Sequence, residues 1–102
     1  MGRELNRQPI AHGEPYLFRG DRPDDLAVWA LDLSDAPSRQ WRRVFKEAAE
    51  TSRAVSGHSA LIRGERGERI EFDASSSILQ HRVGLIDDWI KRANDATENE
   101  RN

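Results

Sequence analysis

Two stretches of this chain are laid out alike, and that layout limits what the chain can bury. "YLFRGDRPDDLAVWALDLSDAPSRQWRRVFKEAA" and "ALIRGERGERIEFDASSSILQHRVGLIDDWIKRA" each read as strand, turn, strand, helix. Their turns carry nearly the same phrase, "LFRGDR" at 17–22 and "LIRGER" at 61–66. Set side by side, Ser34 meets Ser75, Val44 meets Leu85 and Phe45 meets Ile86, although Trp41 meets Arg82. An old duplication would leave such a pattern, and so would chance similarity of Arg-rich turns. Either origin leaves the same constraint: one ββα unit cannot hide its apolar faces alone, whereas two can share a core.

The period changes along each unit. In "LAVWALDLS", Trp29, Leu31 and Leu33 point one way and Val28, Ala30 and Asp32 the other, the alternation of a half-buried strand. Trp41, Val44, Phe45 and Ala48 then follow helical spacing, with Arg42, Arg43, Lys46 and Glu47 outside. Ser34 or Asp35 is expected to cap this helix, Pro37 suits its first turn, and Gly57 lies past its end. In the second unit, Leu61 and Ile62 lead into "GERG", whose glycines suit a tight turn, and Ile70 and Phe72 alternate with Arg69, Glu71 and Asp73. Leu79, Val83, Ile86, Ile90 and Ala93 form the seam of a last helix, widened by Ile78, Leu85 and Trp89, with Ser75, Ser76 or Ser77 placed to cap it.

The expected fold is therefore α+β: a small antiparallel sheet with two helices packed on one face, in ββα-ββα order. If "PYLF" fails to pair, the sheet has three strands and the order is βαββα. Residues 1–14 read as a flexible arm, 15–95 as one domain, and 96–102 as a disordered tail.

Composition narrows function mainly by exclusion. Sixteen Lys and Arg against eighteen Asp and Glu give a net charge of −2, without the basic excess of a duplex-binding protein. Cysteine is absent, which removes disulfides, Cys-ligated zinc and thiol catalysis. No apolar run reaches membrane-spanning length, and the first residues carry neither a signal-peptide core nor the myristoylation pattern. A soluble cytoplasmic protein is the expectation.

The reactive-looking motifs weaken on inspection. "RGD" at 19–21 and "RGERGER" at 63–69 are read as turns, since the acids cancel the arginines of the second. His12, His58 and His81 are scattered, without metal-ligand or triad spacing. Asp32, Glu71 and Asp73 could gather at strand ends and hold a divalent metal. Arg69 and Arg63, however, are ready cross-strand partners for Asp32, and Asp35 and Asp73 can serve helix starts. An RNA-binding sheet needs aromatics on its open face, and Trp29 and Phe72 are wanted in the core.

What remains is a small intracellular protein-interaction module, accessory, adaptor or inhibitor-like, without catalysis or cofactor. Its partner would be another protein or a second copy of itself, not a membrane or a nucleic acid. The wide apolar arc at Trp89 and Ile90 is the first candidate contact, and the sheet face bearing Asp32, Arg69 and Glu71 the second. The alternatives are a metal-dependent enzyme acting on phosphate esters through Asp32, Glu71 and Asp73, and a weak nucleic-acid regulator using Arg39, Arg42 and Arg43.

Overall fold

Alternation of period two makes the centre of the sheet. In the computed structural model, which describes residues 9–20, 26–56 and 60–100, strands β1 (Tyr16–Arg19), β2 (Ala27–Asp32), β3 (Leu61–Arg63) and β4 (Arg69–Ala74) form one antiparallel sheet in the order β1-β2-β4-β3. Helix α1 (Arg39–Ser56) follows β2 and helix α2 (Leu79–Glu100) follows β4. This is the ββα-ββα arrangement, with "PYLF" supplying most of a fourth, paired strand.

Register decides which face is buried. Trp29 lies opposite Phe72, Leu31 opposite Ile70 and Ala27 opposite Ala74, so both central strands turn their apolar residues to the helices. A slip of one residue would exchange them for Val28, Ala30, Glu71 and Asp73. On that face Trp29, Leu31, Leu33, Ile70 and Phe72 join Trp41, Phe45, Ile86, Trp89, Ile90 and Ala93 in one core. Trp41 stacks on Phe45 with ring centroids 5.4 Å apart, and Trp89 meets Phe45 edge-on at 5.8 Å. The Trp29 indole N–H donates to the Ala74 carbonyl at 2.8 Å, so this polar atom enters the core satisfied.

The repeated phrase has a backbone reason. Gly20 in the first copy has φ +121° and Gly64 in the second +98°, a region that side chains avoid. A Cβ at position 20 would also stand 2.8 Å from the Cβ of Ala27. Gly20→Ala should therefore cost about 1–3 kcal/mol, read as a lower urea midpoint at unchanged slope; an unchanged midpoint would show that the turn is not held in this geometry. At the second turn the Gly67 N–H closes onto the Gly64 carbonyl at 3.3 Å, and the Glu68 carboxylate accepts the Arg66 N–H at 2.9 Å. Hydrogen bonds from the backbone N–H groups of Glu68 and Arg66 hold the Glu68 carboxyl below its ordinary range.

Several local expectations shift. The α1 cap is Ser38, whose Oγ accepts the Trp41 N–H at 3.1 Å, and Pro37 sits buried ahead of it. Ser34 and Asp35 serve other backbone groups: Ser34 accepts the Ala11 N–H at 3.0 Å and Asp35 the Ala36 N–H at 2.8 Å. A turn over Ser75–Ile78 leads into α2, and the Ile78 carbonyl accepts the helical N–H of Arg82 at 3.0 Å. Helix α2 also continues to Glu100, beyond the expected domain end at 95. Thr97 stays within its hydrogen-bonding pattern, its hydroxyl reaching the Ala93 carbonyl at 3.0 Å. Gly57 and most of the "RGD" turn, from Asp21, lie outside the described residues.

The segment read as a loose arm is docked where it is described. The Asn94 side chain accepts the Ile10 N–H at 3.1 Å and donates to the Ile10 carbonyl at 2.9 Å. Its Oδ1 also accepts the Trp41 indole N–H at 2.8 Å, which ties the arm to both helices. His12 bridges to Leu33 beside β2, and its Nε2 lies 2.5 Å from Asp87 Oδ1 on α2. The pin comes from residues 84 positions apart, so no local pattern announces it.

Candidate functional site

With both helices on one face, the sheet keeps a second face free of them. The alternation that sends Trp29 and Leu31 inward sends Val28, Ala30 and Asp32 outward from β2, and Arg69, Glu71 and Asp73 outward from β4. From the edges come Tyr16, opposite Ala30, and Leu61 and Arg63, opposite Glu71 and Arg69. Strand β1 adds one irregularity: its register shifts between Leu17 and Arg19, leaving Phe18 as a bulged residue. Leu17 keeps its place opposite Trp29 and packs against the core. The bulge puts Arg19 opposite Val28, so Phe18 and Arg19 both serve the open face, as bulges commonly re-aim side chains.

These residues form a connected layer. Glu71, with a side chain only 7% exposed, receives Arg69 Nε at 3.0 Å and Arg19 Nη2 at 3.5 Å. The Arg69 guanidinium lies 4.7 Å from the centre of the Phe18 ring, and that of Arg19 lies 5.6 Å from it. Ala30, between Tyr16 and Glu71, is fully covered although it points away from the helices. A carboxylate this deep is costly unless fully paired, and two guanidiniums on a ring supply the pairing. Tyr16, Phe18 and Leu61 remain 38%, 36% and 54% exposed around it.

Tyr16 donates its hydroxyl to Asp32 Oδ1 at 2.8 Å. Desolvation, and after it the bond to the Asp32 carboxylate and that carboxylate's charge, raise the phenol above its ordinary 10.0. Because the folded state holds this proton more tightly, the associated stability is present below pH 10 and is lost as pH rises through the Tyr16 midpoint. Tyr16 is the chain's one tyrosine, so absorbance during alkaline titration reports it alone. The midpoint should lie above that of the unfolded chain, and Asp32→Asn should bring it part of the way back by removing the carboxylate's charge while desolvation remains; a midpoint that Asp32→Asn leaves unmoved would remove this contact from the face.

The candidates named from sequence separate clearly. Asp32, Arg69 and Glu71 come together on the open face, but Arg69 bonds Glu71 and Asp32 takes the Tyr16 hydroxyl in place of an arginine. Trp89 and Ile90 are each 5% exposed and sit in the core, so within the folded chain they offer no contact surface. Their wide arc is filled by neighbours on two sides, α1 and the sheet. Asp32, Glu71 and Asp73 do not converge, and among the described residues no three His, Cys, Asp or Glu side chains are grouped to hold a metal ion. Arg39, Arg42 and Arg43 are exposed on α1. No helix among the described residues is long and apolar enough to cross a membrane.

Sequence reading missed the β1 contribution, because four residues containing a bulge give no usable alternation. It also missed a cleft of about 350 Å³ at one end of the open face. Arg19, Arg63, Glu71 and Asp73 line it from the sheet, and Arg53 and Arg82 from the helices. Burial lowers the Arg82 guanidinium from its ordinary value, opposed by the Asp73 charge. Compared with family models, curated proteins and solved structures, the chain matches none.

Proposed function

We propose that this protein is a small interaction module, accessory, adaptor or inhibitor-like, that works inside the cell and meets a protein partner through the open face of its sheet. The reading assigns it no reaction of its own. The observation that carries it is the Phe18–Arg69–Glu71–Arg19 layer, a buried carboxylate clamped by two arginines and bordered by exposed Tyr16, Phe18 and Leu61. Aromatic and arginine side chains held rigid by their neighbours lose little entropy on binding, and such residues are enriched where proteins meet. The absence of cysteine is compatible with the cytoplasm, which is the proposed compartment.

The test is capture from a lysate of the source cells, with the wild-type chain and a Phe18→Ala/Leu61→Thr variant as baits. Both substitutions leave the helix-facing core untouched, and far-UV circular dichroism checks the fold. Retention of the specific partner should fall about tenfold or more, the scale of losing hot-spot contacts. Light scattering over a concentration series covers a second copy of the chain as that partner, and the variant should then weaken self-association. Equal retention by both baits, or a monomer that holds nothing, would refute the reading.

A further inference from the structure

Strand β3 has three residues and its neighbour β4 has six, so β4 runs on past the end of its hairpin partner. The cleft lies there, reaching from the open face toward the helices. Its charge runs against that of the whole chain: four guanidinium groups, Arg19, Arg53, Arg63 and Arg82, face two carboxylates, Glu71 and Asp73, in a protein of net charge −2. Glu71 is already held by Arg19 and Arg69. Asp73 is exposed, and its charge offsets part of the effect of burial on Arg82, so the cleft keeps a net positive charge. Among the described residues neither Arg53 nor Arg63 has a carboxylate within ion-pair distance.

The remaining walls are apolar, with Val28, Leu61 and Phe72 beneath the guanidiniums. The cleft, of about 350 Å³, has room for a few side chains of a short segment. Planar guanidinium forks match carboxylates in two parallel hydrogen bonds, and the apolar floor suits the chain between them. A row of phosphates would meet Glu71 and Asp73 at closer quarters and with more charge. Phe72, the aromatic residue lining the cleft, is 3% exposed and held in the core, so it offers no ring for a base to stack on.

From this complementarity we infer that the cleft receives an acidic segment of the protein partner, with Glu or Asp carboxylates on Arg53 and Arg63 and an intervening apolar side chain on Leu61 and Val28. This rests on the interaction reading and names what the partner brings to one end of the face.

The test is an amide NMR titration of the full chain with three probes: a capped Glu-Leu-Glu-Leu-Glu peptide, its Gln-Leu-Gln-Leu-Gln counterpart and inorganic phosphate. The Glu peptide should shift the amides of Leu61, Arg63, Glu71 and Asp73, weaken with added salt, and bind at least about tenfold more tightly than the Gln peptide. Arg53→Ala/Arg63→Ala changes two exposed side chains that have no ion pair among the described residues, and should weaken the Glu peptide about tenfold while leaving the unliganded spectrum folded. Equal binding of the two peptides, tighter binding of phosphate in the same cleft, shifts centred on Arg39, Arg42 and Arg43, or no shift at millimolar peptide would each overturn the inference. Such a failure is distinct from failure of the interaction reading: if Phe18→Ala/Leu61→Thr still loses the captured partner, the face stands and only the acidic segment falls.

Discussion

Trp41→Ala should remove a large part of the protein's stability. Trp41 is 1% exposed and stacked on Phe45, and its indole N–H is bonded to Asn94. The substitution therefore opens a ring-sized cavity, strips Phe45 of its stacking partner and leaves Asn94 Oδ1 one donor short. Large-to-small changes of this kind cost roughly 3–5 kcal/mol, against a total of about 5–15 kcal/mol for domains of this class. Urea unfolding followed by circular dichroism measures it. Trp41→Phe keeps most of the apolar volume and should cost about 1–2 kcal/mol, chiefly the hydrogen bond. A loss below about 1 kcal/mol for Trp41→Ala would mean that the helices do not meet the sheet through this ring.

Asn94→Ala comes second, at about 2–3 kcal/mol, because one side chain makes three hydrogen bonds between elements. Its removal leaves the Trp41 N–H buried without an acceptor and frees Ile10 from α2. Two measurements separate these effects. Global stability should fall, and the Ile10 amide should exchange with solvent faster than global unfolding explains. Asn94→Asp keeps the two accepting roles and loses only the bond to the Ile10 carbonyl, so it should fall between wild type and alanine. Unchanged Ile10 protection in Asn94→Ala would show that the arm is held by something else, such as the His12–Asp87 contact.

What could be read in advance tracks how local the cause is. The alternation of Trp29, Leu31, Ile70 and Phe72, the stripe of Trp41, Phe45 and Ala48, and the glycines of the "GERG" turn each depend on a few neighbouring residues, and all of them hold. Capping was harder, because Ser34, Asp35 and Ser38 are all competent and only the path of the chain past buried Pro37 selects Ser38. The arc at Trp89 and Ile90 looked spare because helical spacing counts apolar residues without counting the elements that cover them. The candidate face itself was half legible. Asp32, Arg69 and Glu71 follow from strand alternation, whereas the burial of Glu71 follows from a bulge in β1 and two arginines far apart in sequence. Arg53 and Arg82 reach the cleft from different helices, a convergence that no spacing rule encodes.

The absence of cysteine allows a direct measurement of which surface is used. Single cysteines placed at Tyr16 and Leu61 on the open face, and at Arg43 and Asp88 on the helices, occupy exposed positions and should all react with a thiol reagent in the free protein. In the complex with the captured partner, the thiols at 16 and 61 should become protected at least about tenfold while those at 43 and 88 react as before. Protection at 43 or 88 with full reactivity at 16 and 61 would place the partner on the helices and contradict the account.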